Sequence, residues 1–271
     1  MRIAFIGGGN MATALISGLF AARGKFGKIQ VADPNPAVRE LLEKKWPVCC
    51  FSHAADAIKG TDVIVLAVKP QILPVVLREI STFVSAEQLV ISVVAGIPVR
   101  QIAAQLKSSP AIVRTMPNTP ALIGLGITAL YAGEHCKPAQ RRMAQELMQA
   151  VGEVVWLDQE SLLDVVTAVS GSGPAFFFYL IEAMRSAATR LGLPADIAEK
   201  LALHTANGAS IMALQSDVDV VELRRRVTSS GGTTQAAVEQ LQAGHFEGMV
   251  DSAIAAATLR GQELASSGER R

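Results

Sequence analysis

Short apolar runs punctuate the first 158 residues of the chain and then stop. The segments 2–7 (RIAFIG), 29–33 (IQVAD), 62–68 (DVIVLAV), 88–96 (QLVISVVAG), 111–115 (AIVRT), 126–132 (GITALYA) and 152–157 (GEVVWL) predict strands, with amphipathic stretches between most of them. Nearly unbroken apolar runs such as VIVLAV fit strands of a parallel sheet covered on both faces by helices. Alternation of such strands with helices predicts a doubly wound α/β sheet over 1–158. From 159 to 271 the pattern changes to helical, with predicted helices at 161–169, 174–191, 195–215, 217–226, 233–243 and 246–266, divided by GSGP, GLP and SSGG.

Two of those helices carry more apolar surface than a thin domain can hide. The segment PAFFFYLIEAM (174–184) is apolar around most of its circumference, and Phe246, Met249, Val250, Ile254 and Ala257 form a second stripe. A helical domain of this size buries such surface more readily against another subunit, which predicts an obligate dimer.

Composition narrows the class. Half of the 271 residues are hydrophobic, 18% are charged and the formal net charge is +1, so there is ample apolar surface and no electrostatic footprint for nucleic acid or an anionic membrane. Cys49, Cys50 and Cys136 make neither a disulfide framework nor a zinc cage. The N-terminus lacks the pattern of a secretory signal, and no uncharged apolar stretch reaches about 18 residues. The expectation is a cytoplasmic protein without a membrane span.

The chemistry begins at FIGGGNMATAL. Gly7, Gly9 and Ala12 stand in G-x-G-x-x-A spacing directly after a strand and at the opening of a helix. The pattern predicts a tight turn at Gly7, close approach of a pyrophosphate at Gly9 and close helix–strand packing at Ala12, with the helix N-terminus facing the phosphates. Asp33 ends the second strand where an acidic residue accepts from a ribose 2′-hydroxyl, which favours NAD over NADP; the nearest arginine is Arg39. Two further strand ends, AVKP (67–70) and RTMPNTP (114–120), bring Lys69 and Asn118 to the same edge of the sheet.

Several chemistries find no residues. His53, His135, His204 and His245 share no metal-ligand spacing, and neither tyrosine is followed by a lysine four positions on. SGSGPA (170–175) is not a nucleophile elbow; Pro174 is expected to start a helix with Ser172 near its cap. A carbonyl reductase needs a proton donor that this inventory lacks, whereas a protonated imine accepts hydride directly, so the inventory leans to a C=N substrate. The stretch TSSGGTT (228–234) is expected to join two helices. Gly231 and Gly232 permit close approach, and Ser229, Thr233 and Thr234 supply hydroxyls beside a helix N-terminus, a seat for a carboxylate. Arg224, Arg225 and Arg226 before it are expected to be a solvated face that complements the preceding helix end.

AVKP, RTMPNTPALIGLG, VSGSGPAFFF and VTSSGGTT, in this order, resemble the pyrroline-5-carboxylate reductases over about residues 2–265. The resemblance implies a Rossmann-type sheet domain followed by an all-α dimerisation domain, and reduction of 1-pyrroline-5-carboxylate to L-proline by NAD(P)H, the last step of proline biosynthesis. It implies that Gly7, Gly9, Asn10 and Met11 meet the cofactor phosphates and that Ala67, Val68 and Lys69 approach its ribose and nicotinamide. It places Asn118 and Thr119 at the active crevice and Ser229, Gly231, Gly232, Thr233 and Thr234 in the substrate loop, with Thr234 the best candidate to hold the imine nitrogen. The sequence departs from the family at Ser230, where proline is usual, and at Arg225, where an acidic residue is common. Family usage makes NADPH the first choice despite Asp33, with NADH the alternative. Two other readings compete: a β-hydroxyacid-type dehydrogenase, for which Asn207 lacks the lysine that should follow it, and a dinucleotide sensor without turnover, which would not need the SSGGTT loop.

Overall fold

In the computed structural model, residues 1–22 and 26–267 are described, those from 264 on without their side chains. The last residues of the polar tail SSGERR, and so of the expected 159–271 domain, lie outside them. The chain divides into two compact units, Met1–Ser172 with Ala257–Arg271, and Gly173–Ala256.

The first unit is built on an eight-stranded sheet. Its strands are β1 (Ile3–Ile6), β2 (Ile29–Ala32), β3 (Cys49–Phe51), β4 (Val63–Leu66), β5 (Leu89–Ser92), β6 (Ala111–Met116), β7 (Gly126–Ala132) and β8 (Gly152–Trp156), in the order β3-β2-β1-β4-β5-β6-β7-β8. All pairs are parallel except β6–β7. Helices α1 (Asn10–Ala21), α2 (Pro36–Lys45), α3 (Ala54–Ala57), α4 (Leu73–Ile80), α5 (Val99–Ala103) and α6 (Pro138–Gln149) fill most of the connections. Side chains alternate across the central strands as a strand's two-residue period requires. Ile3, Phe5, Val63 and Val65 face Leu15, Ile16 and Leu147, while Ala4, Ile6, Ile64 and Leu66 join Leu73, Leu77 and Ile102 on the other side.

Two features escape the apolar pattern. β3 has three half-buried residues at the sheet edge, too few to show a period. β7 runs antiparallel because the link from Met116 to Gly126 holds only a 3₁₀ turn (Thr119–Ile123), too short for a crossover helix.

α7 (Leu162–Val166), a π-turn (Thr167–Gly171) and α8 (Gly173–Arg190) follow one another with only Ser172 between the last two, and Pro174 lies in the first turn of α8 as expected. Pro174 cannot donate to the carbonyl four residues back, and the ladder widens just before it, with the Ser172 amide donating to the Thr167 carbonyl at 2.8 Å. The stretch Leu162–Arg190 is long and apolar enough to cross a membrane by length and composition. That qualifies the expectation drawn from uncharged runs alone.

The second unit is helical: α8, α9 (Ala195–Gln215), α10 (Val220–Arg226), α11 (Thr233–Ala243) and the first half of α12 (Phe246–Ser267). Its only buried hydrophobic side chains among the described residues are Ala198 and Ala202. Phe177, Phe178 and Tyr179 are exposed to 62%, 67% and 73%.

Candidate active site

Gly7, closing β1, has φ +100°, and a Cβ there would lie 2.5 Å from the Ala67 carbonyl oxygen and 3.1 Å from Val68 Cγ1. The turn therefore needs glycine, and it brings the Gly-rich segment against 67–69 at the carboxyl ends of β1 and β4. β1 pairs with β2 on one side and β4 on the other, so this is where the strand order reverses and where ligands bind in such sheets.

Gly9 differs. Its φ of −71° and ψ of −172° are open to any residue, so backbone strain does not explain it; a Cβ would meet nothing within 4 Å. What glycine provides here is room, together with a helix N-cap that has no side chain of its own. The first bond of α1 runs from the Thr13 amide to the Gly9 carbonyl (2.9 Å), so the amides of Asn10, Met11 and Ala12 have no partner within the helix. Ala12 is fully buried and serves packing. These residues fit the pyrophosphate of a dinucleotide.

Asp33 is oriented toward the turn. Its Oδ2 accepts from the Gly8 amide (2.9 Å) and its Oδ1 from the Asn35 amide (2.9 Å), while Arg39 Nη1 donates to the Asp33 carbonyl (2.7 Å) and to that of Pro34 (3.0 Å). The carboxylate is thus engaged with backbone, and a guanidinium is tethered at the end of β2. Gly8 went unnoticed in the sequence; a Cβ there would meet Val38 Cγ1 at 2.7 Å and Leu42 Cδ1 at 2.9 Å. Lys69 is exposed, and its carbonyl accepts from the Ile72 amide at 2.9 Å. Asn118 is buried, with its Oδ1 holding the Ile127 amide at 3.0 Å, so its side chain secures the turn into β7.

A cavity of about 730 Å³ opens at the carboxyl ends of β4 and β5, lined by Pro70, Gly96, Ile97, Arg78 and Asp164 among others. At its wall stands an ion cluster invisible to motif reading. Buried Arg114 lies 3.2 Å from Glu160 Oε1 and 3.5 Å from Asp164 Oδ1, and Glu160 also accepts from the Val99 amide at 2.7 Å. Arg114 stands 46 positions before the nearer of its two carboxylates, and only the fold joins them.

In the second unit, Asp219 caps α10 by accepting from the Glu222 amide (2.8 Å), which starts that helix later than its apolar pattern does. Glu222 takes Arg225 and Arg226, at 2.6 and 2.8 Å, and their hydrogen bonds hold its carboxyl down near a pKa of about 2. This supplies Arg225, the family departure, with its partner. The Gly232 amide donates to the Ser229 carbonyl (3.1 Å), and Gly231, at φ +70°, occupies the third position of that turn. Gly232 then N-caps α11 without a side chain, and the first helical bond runs from the Ala236 amide to the Gly232 carbonyl. The amides of Thr233, Thr234 and Gln235 have no partner within the helix and none among the described residues, beside the hydroxyls of exposed Ser229 and Thr233 and of half-buried Thr234. The amides of Gly231 and Gly232 are used inside the loop, the former by Gln235 and the latter by the Ser229 carbonyl.

A pyrroline-5-carboxylate reductase of Pseudomonas aeruginosa is 46% identical over 264 residues, 97% of either chain. The chain belongs to the pyrroline-5-carboxylate reductase family. Residues 160–264 match the sequence model described as pyrroline-5-carboxylate reductase dimerisation, and residues 2–96 the one described as NADP oxidoreductase coenzyme F420-dependent. The solved pyrroline-5-carboxylate reductase of Coxiella burnetii superposes with a TM-score of 0.92 at 38% identity, covering 97% of this chain and 98% of that one. The Plasmodium falciparum pyrroline carboxylate reductase, solved with NADP bound, gives 0.86 at 27% identity and 98% coverage of each. Family membership favours the reductase reading over the hydroxyacid dehydrogenase and the silent sensor.

Proposed function

We propose that this chain reduces 1-pyrroline-5-carboxylate to L-proline with NADPH, NADH being the alternative, as the final step of proline biosynthesis in the cytoplasm. The observation that carries the reading is full-length similarity to reductases of that name, joined to two helix N-termini capped by glycine. When bound, the nicotinamide supplies the hydride. Gly9, Asn10 and Met11 hold the pyrophosphate, with Ala12 packing the helix behind them. Ala67, Val68 and Lys69 border the ribose and nicotinamide, and Asn118 keeps the neighbouring turn in place. Asp33 spends its carboxylate on the Gly8 and Asn35 amides, and the Arg39 guanidinium held at the end of β2 supplies the positive charge that a 2′-phosphate requires.

The ring carboxylate binds the open amides and hydroxyls of the 229–234 loop, and Thr234 keeps the imine nitrogen in line. Positioning supplies most of the rate, since a protonated imine needs no strong acid from the protein. The 159–271 segment is proposed as the dimerisation and substrate domain, and a second copy covers the apolar faces of α8 and α12. Three free cysteines accord with a reducing compartment.

The test is NADPH and NADH oxidation measured in parallel with 1-pyrroline-5-carboxylate, with L-proline assayed as product. One proline per NADPH, at a higher kcat/KM than with NADH, is expected. Absence of oxidation with either cofactor would overturn the reading.

A further inference from the structure

Gln235 occupies the third position of α11, from which a glutamine usually reaches back to the amide of the N-cap residue. Here it reaches one residue further: its Oε1 accepts from the Gly231 amide at 2.7 Å, while its Nε2 donates to Glu239 Oε1 at 2.7 Å. The two partners fix the orientation of the amide, because a backbone N–H can only donate and a carboxylate can only accept. Glu239 therefore holds Gln235 with its oxygen toward the loop.

The turn that this oxygen grips is Ser229–Gly232. Gly231 lies at φ +70° in the third position, Ser230 has negative φ in the second, and the Gly232 amide closes onto the Ser229 carbonyl. That is a type II turn, in which proline is favoured at the second position. The Ser230 amide makes no hydrogen bond among the described residues, so proline would displace none. With serine there, the backbone restraint comes instead from Gln235, across one turn of helix.

We propose that Gln235 is a positioning residue of the reductase: by holding the Gly231 amide it sets the turn that places Ser229, Thr233 and Thr234 around the substrate carboxylate. This rests on the reading of 229–234 as the substrate loop. Gln235 touches no substrate; it acts through the backbone of Gly231 and leaves the amides at the start of α11 open.

The experiment is steady-state kinetics of the full-length protein, varying 1-pyrroline-5-carboxylate and NADPH separately. Gln235→Ala should raise the KM for pyrroline-5-carboxylate about fivefold or more, the size of a lost loop restraint. The KM for NADPH should stay within about twofold and the melting temperature within about 2 °C. Adding Ser230→Pro to Gln235→Ala should return the substrate KM to within about twofold of wild type, because proline restores the restraint by another route. Wild-type substrate KM in Gln235→Ala, an equal rise in both KM values, or failure of proline to rescue would each overturn the inference. Thr234→Ala, run in parallel, separates the two levels. If Thr234→Ala is impaired and Gln235→Ala is not, the positioning role alone falls; if Thr234→Ala behaves as wild type, the substrate-loop reading falls and this inference with it.

Discussion

The two units differ in what they bury. The sheet unit seals Phe5, Ile3, Leu15, Ile64 and Leu66 completely between two helical layers, whereas the helical unit of one chain buries only Ala198 and Ala202 among its described hydrophobic residues and leaves an aromatic run exposed. The first has the core of a self-sufficient domain. The second has helices whose apolar faces need a partner, and it is the segment that matches the family's dimerisation model. Apolar content alone does not distinguish them; the distinction lies in whether the chain supplies both sides of each contact.

The largest expected effect breaks the second unit. Phe177→Asp combined with Tyr179→Asp places two uncompensated charges in the proposed interface and should weaken the dimer at least about a thousandfold, read by sedimentation. A dimer of unchanged strength would show that α8 is not covered by a second copy.

The glycines of the first unit sharpen the contrast between packing and ligand space. Gly9→Val should raise the dissociation constant for NADPH on the order of a hundredfold by filling the pyrophosphate space, with the melting temperature nearly unchanged. Gly7→Val should instead cost stability, about 3 kcal/mol or more, because a Cβ would meet the Ala67 carbonyl at a positive φ. Urea unfolding and fluorescence titration distinguish these outcomes; equal loss of stability in both would mean that the space beside Gly9 is not a ligand seat.

Thr234→Ala should lower kcat/KM by about tenfold, the worth of one well-placed hydrogen bond, with NADPH affinity retained. Loss of NADPH binding in that variant would contradict the assignment of substrate and cofactor to different units.

The smallest effect concerns the sheet edge. Burial, reinforced by Glu43, pushes the Cys50 thiol up to about 11. The folded state thus keeps this proton more tightly than the unfolded chain, whose thiol titrates near 9. The resulting stability is present below that value and is lost as pH rises from about 9 to about 11. Cys50→Ala should flatten that part of the decline in urea titrations; an unchanged slope would remove Cys50 as its source.

Legibility in the sequence followed the same division. The central strands were readable because Ile3–Ile6 and Val63–Leu66 are apolar at every position, as burial on both faces demands. β3 and the reversal at β7 were not, since the first is three residues at an edge and the second is decided by the length of a link. The glycine motifs revealed both helix N-termini, 7–12 and 231–234, yet not the different reasons for Gly7 and Gly9, which depend on what stands opposite each. Arg114, Glu160 and Asp164 were silent because no spacing encodes a contact made across the fold. Gln235 was overlooked as one more polar residue on an amphipathic helix.

Hydrogen exchange on the Phe177→Asp, Tyr179→Asp chain beside the wild type most directly tests whether one unit stands alone and the other does not. Peptides from 174–190 and 246–263 should lose protection in the variant, while those from β1, β4 and β5 keep theirs. Full protection of 174–190 in a monomeric variant would contradict the account, because a single chain would then suffice to hold its helical half together.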